Sequence, residues 1–184
     1  SAEKAKCREL VAQVAMALAM LYQNEGNWPK RLAVQGKTDG KLDAETAIAL
    51  KGYYSLNVDD NGKLIGYDRF GIVSPWATRA LKRLGVNEGS AANIKVVTGG
   101  TVEDHILRFA LDEDGDGITE AKVGGVTVRV RTNAAVWCAG RDGVMAPYPY
   151  PGGGASGEKG ANSGGKKKKG GDDCYSWTPL QVEK

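Results

Sequence analysis

The chain has 184 residues, 41% of them hydrophobic and 26% charged, which suits a soluble globular protein of one domain, or two at most, with a real core. The four lysines at 166–169 account for more than its whole net charge of +3, so the rest is near neutral and a broad nucleic-acid-binding face is excluded. No window approaches the roughly eighteen apolar residues of a membrane span, and three scattered cysteines lack the paired short spacings of a zinc site.

The first predicted element is a long helix. Leu10, Val11, Val14, Leu18, Leu21 and Tyr22 recur with a helical period and make one stripe, with alanines between them. Glu3, Lys4, Lys6, Arg8 and Glu9 give it an abruptly charged start, and Gly26 and Pro29 end it. With no initiator Met and no signal peptide, Ser1 is expected to follow a processing boundary.

Residues 28–93 read as a connecting region with short helices. Asp43 opens one that runs to about Lys51; Tyr53, Tyr54 and Leu56 suggest a strand, Asp59-Asp60-Asn61-Gly62 a hairpin turn, and Leu64-Ile65 its return. Ser74 as N-cap, Pro75 at the first helical position and Gly85 after Leu84 bound a further helix with Trp76, Ala80, Leu81 and Leu84 on its apolar side.

Residues 94–143 change to a period of two. Ile94, Val96 and Val97 suggest a strand, Leu107, Phe109 and Leu111 a second, Val126, Val128 and Val130 a third, and Ala134 to Ala139 a last run. Short turns between them predict an antiparallel meander with one buried face, covered by the stripe of the first helix. The fold class expected is α+β, a single domain over 1–184. Residues 144–173, rich in Gly, Ser and Lys after a Pro-Tyr repeat, read as a flexible loop, and 174–184 as an ordered tail anchored by Tyr175 and Trp177.

Few residues carry chemistry. Asp112, Asp114, Asp116 and Gly117 match the first half of a calcium loop, but position twelve is Val123 where a bidentate Glu is needed, so an acidic turn is the better reading. The one histidine, His105, has Asp104 beside it and no nucleophile motif around it; a sheet-surface residue is favoured over a hydrolase site. Lys166–Lys169 lack interleaved aromatics and read as a solvated linker, with binding to anionic polymers as the alternative. Cys138 and Cys174 bracket the loop; either they form a disulfide, with Cys7 left free, or all three are reduced thiols.

Both ends of the chain resemble the type IV pilin-like proteins, above all the major pseudopilins of type II secretion. The helix ending Tyr22, Asn24, Gly26, Trp28, Pro29 is similar to that family's, Cys138-Ala139-Gly140-Arg141-Asp142-Gly143 to its turn after the last core strand, and Asp172-Asp173-Cys174-Tyr175-Ser176-Trp177 to its closing motif. Ser74-Pro75-Trp76 departs from the family's pattern downstream.

The resemblance implies a long N-terminal helix on an antiparallel sheet, with a cleaved leader and an apolar membrane segment ahead of Ser1. It further implies a non-enzymatic subunit of a type IV pilus or pseudopilus-like filament, whose partners are other pilin-like subunits and the inner-membrane assembly machinery. Before assembly the subunit would be held in the inner membrane with its soluble domain in the periplasm; at the cell surface, a minor pilin or adhesin using the 144–173 loop is the alternative. Major pseudopilins bind calcium after the last strand, which points to Asp142, Asp172 and Asp173 here, or to a Cys138–Cys174 disulfide serving as the staple instead.

Overall fold

The computed structural model describes residues 2–85, 89–149 and 172–184. They form an α+β arrangement opened by α1 (Ala2–Glu25), a 24-residue helix whose charged first turns are helical too. Its buried stripe is Cys7, Val11, Val14, Ala17, Leu18 and Leu21, while Leu10 and Tyr22 flank it half-buried. Gly26, at φ 76°, donates its N–H to the Tyr22 carbonyl at 2.8 Å and stops the helix. Trp28 then turns back, its ring 4.6 Å from that of Tyr22 and its Nε1–H donated to the Asp112 carbonyl at 2.9 Å.

The connecting region holds α2 (Lys30–Gln35), β1 (Gly40–Lys41) and α3 (Ala44–Ala47). Asp43 caps α3 by accepting from Thr46 N–H at 3.0 Å, and the helix tightens into a 3-10 turn at Ile48–Leu50, close to the span the sequence predicts. The expected strand at Tyr53–Leu56 is not formed. The Asp59 turn is made, its carboxylate accepting from Asn61 and Lys63 N–H, but only single bridges flank it, Lys51 with Tyr54 and Val58 with Leu64. Next comes α4 (Pro75–Leu84), capped by Ser74 and closed by left-handed Gly85 as its sequence signals require.

The expected meander is corrected. Ile94 and Val96 are buried without forming a strand, because the chain reverses within a few residues through Gly99-Gly100 and keeps one bridge, Lys95 with Thr101. Only Arg108–Leu111, β2, is extended in the next run; ahead of it Glu103–His105 is a 3-10 turn, stabilised by Asp104 accepting from Thr101 N–H at 2.9 Å. There follow β3 (Thr119–Val123), β4 (Val126–Val130), β5 (Ala134–Cys138) and β6 (Cys174–Tyr175). The main sheet has the order β1-β2-β5-β6, all pairs antiparallel, and β3-β4 form a separate hairpin.

Two cores result. On one face of the main sheet, Ala134, Val136, Cys138, Cys174 and Phe109 join the α1 stripe. On the other, Ala135, Trp137, Tyr175 and Trp177 meet Ala121, Val123, Val128 and Val130 of the hairpin. β5 is therefore covered on both sides, which explains its unbroken apolar sequence Ala-Ala-Val-Trp-Cys. The predicted cover of the sheet by α1 is what the structure shows; the cover of its second face is not foreshadowed, because β3 alternates only Thr119, Ala121 and Val123 against Glu120 and Lys122. No helix among the described residues is long and apolar enough to cross a membrane.

Candidate functional site

Three groupings of chemically active side chains lie around the main sheet. The first is the turn joining β2 to β3. Its carboxylates Asp112, Asp114 and Asp116 are the one set of acidic, His or Cys side chains among the described residues whose ligand atoms all lie within 4.8 Å of one another. Backbone amides already hold them. Asp112 accepts from Gly115 N–H at 3.0 Å and Gly117 N–H at 2.7 Å, Asp114 from Asp116 N–H, and Asp116 from Ile118 N–H at 2.9 Å. Burial pushes the Asp112 carboxyl up, whereas hydrogen bonding to Asp112 holds Asp114 down. Val123, where a calcium loop needs its bidentate Glu, is buried in β3.

The second grouping contains Asp142, Asp172 and Asp173, beside the break between β5 and β6. Gly140 lets this region close, since a Cβ there would overlap the Asp172 backbone. Asp173 is fully buried and accepts from Gly140 N–H at 3.1 Å through one oxygen and from Ala146 N–H at 2.8 Å through the other. Burial pushes its carboxyl up to about 8 against the pull of those two amides, and Asp142 and Asp172 add to the rise. Asp172 faces the Lys4 ammonium of α1 at 3.8 Å, and Asp142 accepts from Val144 N–H at 3.0 Å. The three carboxylates thus occupy one neighbourhood. Their ligand atoms do not converge, because Asp173 is turned inward as a latch on the segment 140–146.

The third grouping is Cys7, Cys138 and Cys174. All three thiols are free and fully buried, so the expected Cys138–Cys174 disulfide is not formed here. The two strand cysteines are nonetheless register partners, and Cys7 comes down from α1 into the same core. The Cys138 contact and then burial push Cys7 up; the Cys7 contact and then burial do the same to Cys174.

His105 departs from its expected place on a sheet surface. It is fully buried in the 3-10 turn before β2. Its Nε2 lies 2.9 Å from the Gly99 carbonyl, which can only accept, so Nε2 carries the proton. Nδ1 is then the acceptor for the Ser74 hydroxyl at 2.8 Å, and the same Ser74 oxygen accepts from Ala77 N–H at 3.3 Å. This serine–histidine pair has no unused atom and lines none of the clefts of about 670, 590 and 280 Å³. It ties the start of α4 to the loop before β2, and burial pushes the imidazole down. Sequence reasoning finds Ser74 as a cap and His105 as a lone histidine; their pairing across 31 positions carries no local signal.

Of the other predicted sites, the loop at 144–173 lies within the described residues only at 144–149 and 172–173, where Ala146 and Tyr148 are buried. Lys166–Lys169 lie outside them. Tyr148 packs edge-on to Tyr175, with ring centroids 5.0 Å apart, and closes the core beneath Trp137 and Trp177. Comparison with models of protein families, with curated proteins and with solved structures finds no match to this chain.

Proposed function

We propose that the protein is a non-enzymatic structural subunit of a filament of the type IV pilus or type II secretion pseudopilus kind, with its soluble domain in the periplasm before assembly. One observation carries the reading: α1 is used on one side only. Its stripe from Cys7 to Leu21 is buried against β5, β6 and α4, while Ala12, Met16, Ala19 and Met20 stay exposed on the rest of its circumference. Met16 is 65% and Met20 47% exposed, and no charged residue interrupts α1 between Leu10 and Gln23. An uncharged outer helix face on a domain already complete on its inner side suits repeated packing against like helices.

The test is electron microscopy of filaments from cells producing the full-length gene product, with Met16→Glu and Met20→Glu in parallel. Filaments containing the wild-type chain and lost by both variants, at unchanged monomer melting temperature, are the expected result. Cells whose filaments never contain this chain would sink the proposal.

A further inference from the structure

The geometry points to Cys7 as the obligatory partner in any disulfide this domain forms, so that oxidation ties α1 to the sheet and does not join the two strands to each other.

The ladder between β5 and β6 argues against the pair that sequence spacing favours. Ser176 N–H donates to the Val136 carbonyl at 2.8 Å, and Val136 and Ser176 stand opposite one another. Hydrogen-bonded and non-hydrogen-bonded pairs alternate along an antiparallel ladder. Two residues on, Cys138 and Cys174 therefore form a hydrogen-bonded pair, which holds facing Cβ atoms toward the wider end of their range, about 5.5 Å. A disulfide needs about 3.5–4.5 Å between Cβ atoms. Closing the gap would distort a two-residue strand whose flanks are fixed by the Asp173 latch and the packed Trp177.

Cys7 belongs to α1 and is not bound by the β5–β6 register. It is the first buried residue of the α1 stripe and lies in the same core as both strand thiols, where α1 packs on β5 and β6. A side chain arriving from a helix over the sheet approaches along the direction in which the strand cysteines project. Both belong to the α1-facing core, as does Val136, while Trp137, between Val136 and Cys138, belongs to the opposite one.

The chemistry is thiol–disulfide exchange with a small-molecule disulfide such as oxidised glutathione. One protein thiolate attacks a sulfur of the oxidant, forming a mixed disulfide and releasing one reduced small thiol. A second protein thiolate then displaces the other. Two protein S–H bonds become one S–S bond, the oxidant's S–S bond is broken, and the two protons and two electrons end in two molecules of reduced small thiol. With every sulfur buried, exchange proceeds when α1 opens from the sheet.

The experiment incubates the 184-residue protein across a series of oxidised-to-reduced glutathione ratios, starting from both the reduced and the oxidised protein until the two agree. Unreduced peptides are then mapped by mass spectrometry. The expected product links the Cys7 peptide to the Cys138 or Cys174 peptide, with the melting temperature rising as it accumulates. Cys7→Ser should abolish bridging at ratios that oxidise the wild type, while Cys138→Ser and Cys174→Ser should each retain it. A Cys138–Cys174 peptide as the main product overturns the inference, as do three free thiols at every ratio. The wild-type peptide map separates these outcomes by itself, even if a serine variant fails to fold.

Discussion

Asp173 and His105 are buried titratable groups whose charges would be uncompensated inside, and they act on stability in opposite senses. Asp173 titrates near 8 in the fold against about 3.9 in an unfolded chain. The folded state therefore holds a proton that the unfolded state has lost, and stability declines as pH rises from about 4 to about 8. His105 is pushed down from its ordinary value, so its contribution is intact above about 6.5 and is lost as pH falls below that. Below 6.5 the two oppose each other; between 6.5 and 8 only Asp173 acts. Melting temperature should fall across that upper window in the wild type and stay level in Asp173→Asn, which should melt below the wild type near pH 4 because an amide cannot accept both N–H bonds. Ser74→Ala removes the cap of α4 and strands the buried His105 Nδ1, a loss of about 2–4 kcal/mol in chemical denaturation. Ser74→Thr, which keeps the hydroxyl, should recover most of it.

At the scale of elements, the outcome follows how much of each is decided locally. α1 and α4 are legible because period, cap and stop agree, from the Leu10–Tyr22 repeat to the Ser74-Pro75 opening and the Gly85 close. The β3-β4 hairpin is half legible: Gly124-Gly125 and three valines mark β4, but Thr119 and Ala121 give β3 little hydrophobic signal. The strand predicted on Leu107, Phe109 and Leu111 forms from Arg108 on, and ahead of it Thr101, Asp104 and His105 bond locally or to Ser74. Of the candidate sites, the neighbourhood of Asp142, Asp172 and Asp173 is legible, and the inward turn of Asp173 onto Gly140 and Ala146 is not, since it depends on a close approach between distant segments. The acidic turn behaves as an element in its own right, with its carboxylates already held by amides. Melting temperature is expected to be equal in excess calcium and in excess chelator. A rise in calcium that Asp114→Asn removes would assign an ion to the turn; one that Asp142→Asn removes would place it beside β6.

For the whole molecule, the two cores are unequal. The α1 side is a broad aliphatic layer, whereas the hairpin side depends on four aromatics, Trp137, Tyr148, Tyr175 and Trp177, whose rings lie 5.0–6.0 Å apart in successive contacts. Trp177→Ala should cost about 3–5 kcal/mol. Because Trp177 lies two residues beyond the end of β6, the loss should reach Cys174 as well, read as faster alkylation of that thiol than in the wild type.

The bond from Trp28 to the Asp112 carbonyl gives α1 a second anchorage beyond its own end. A helix gripped along one side is loaded in shear when drawn along its axis, so the contacts from Cys7 to Leu21 resist together; a sideways pull parts them one turn at a time. Traction passed down α1 arrives at Trp28, crosses to Asp112, and is shared with Asn133, whose carbonyl accepts from the Asp112 N–H at 2.8 Å. The domain is in this sense a cleat, stiff against lengthwise tension and weak against peeling.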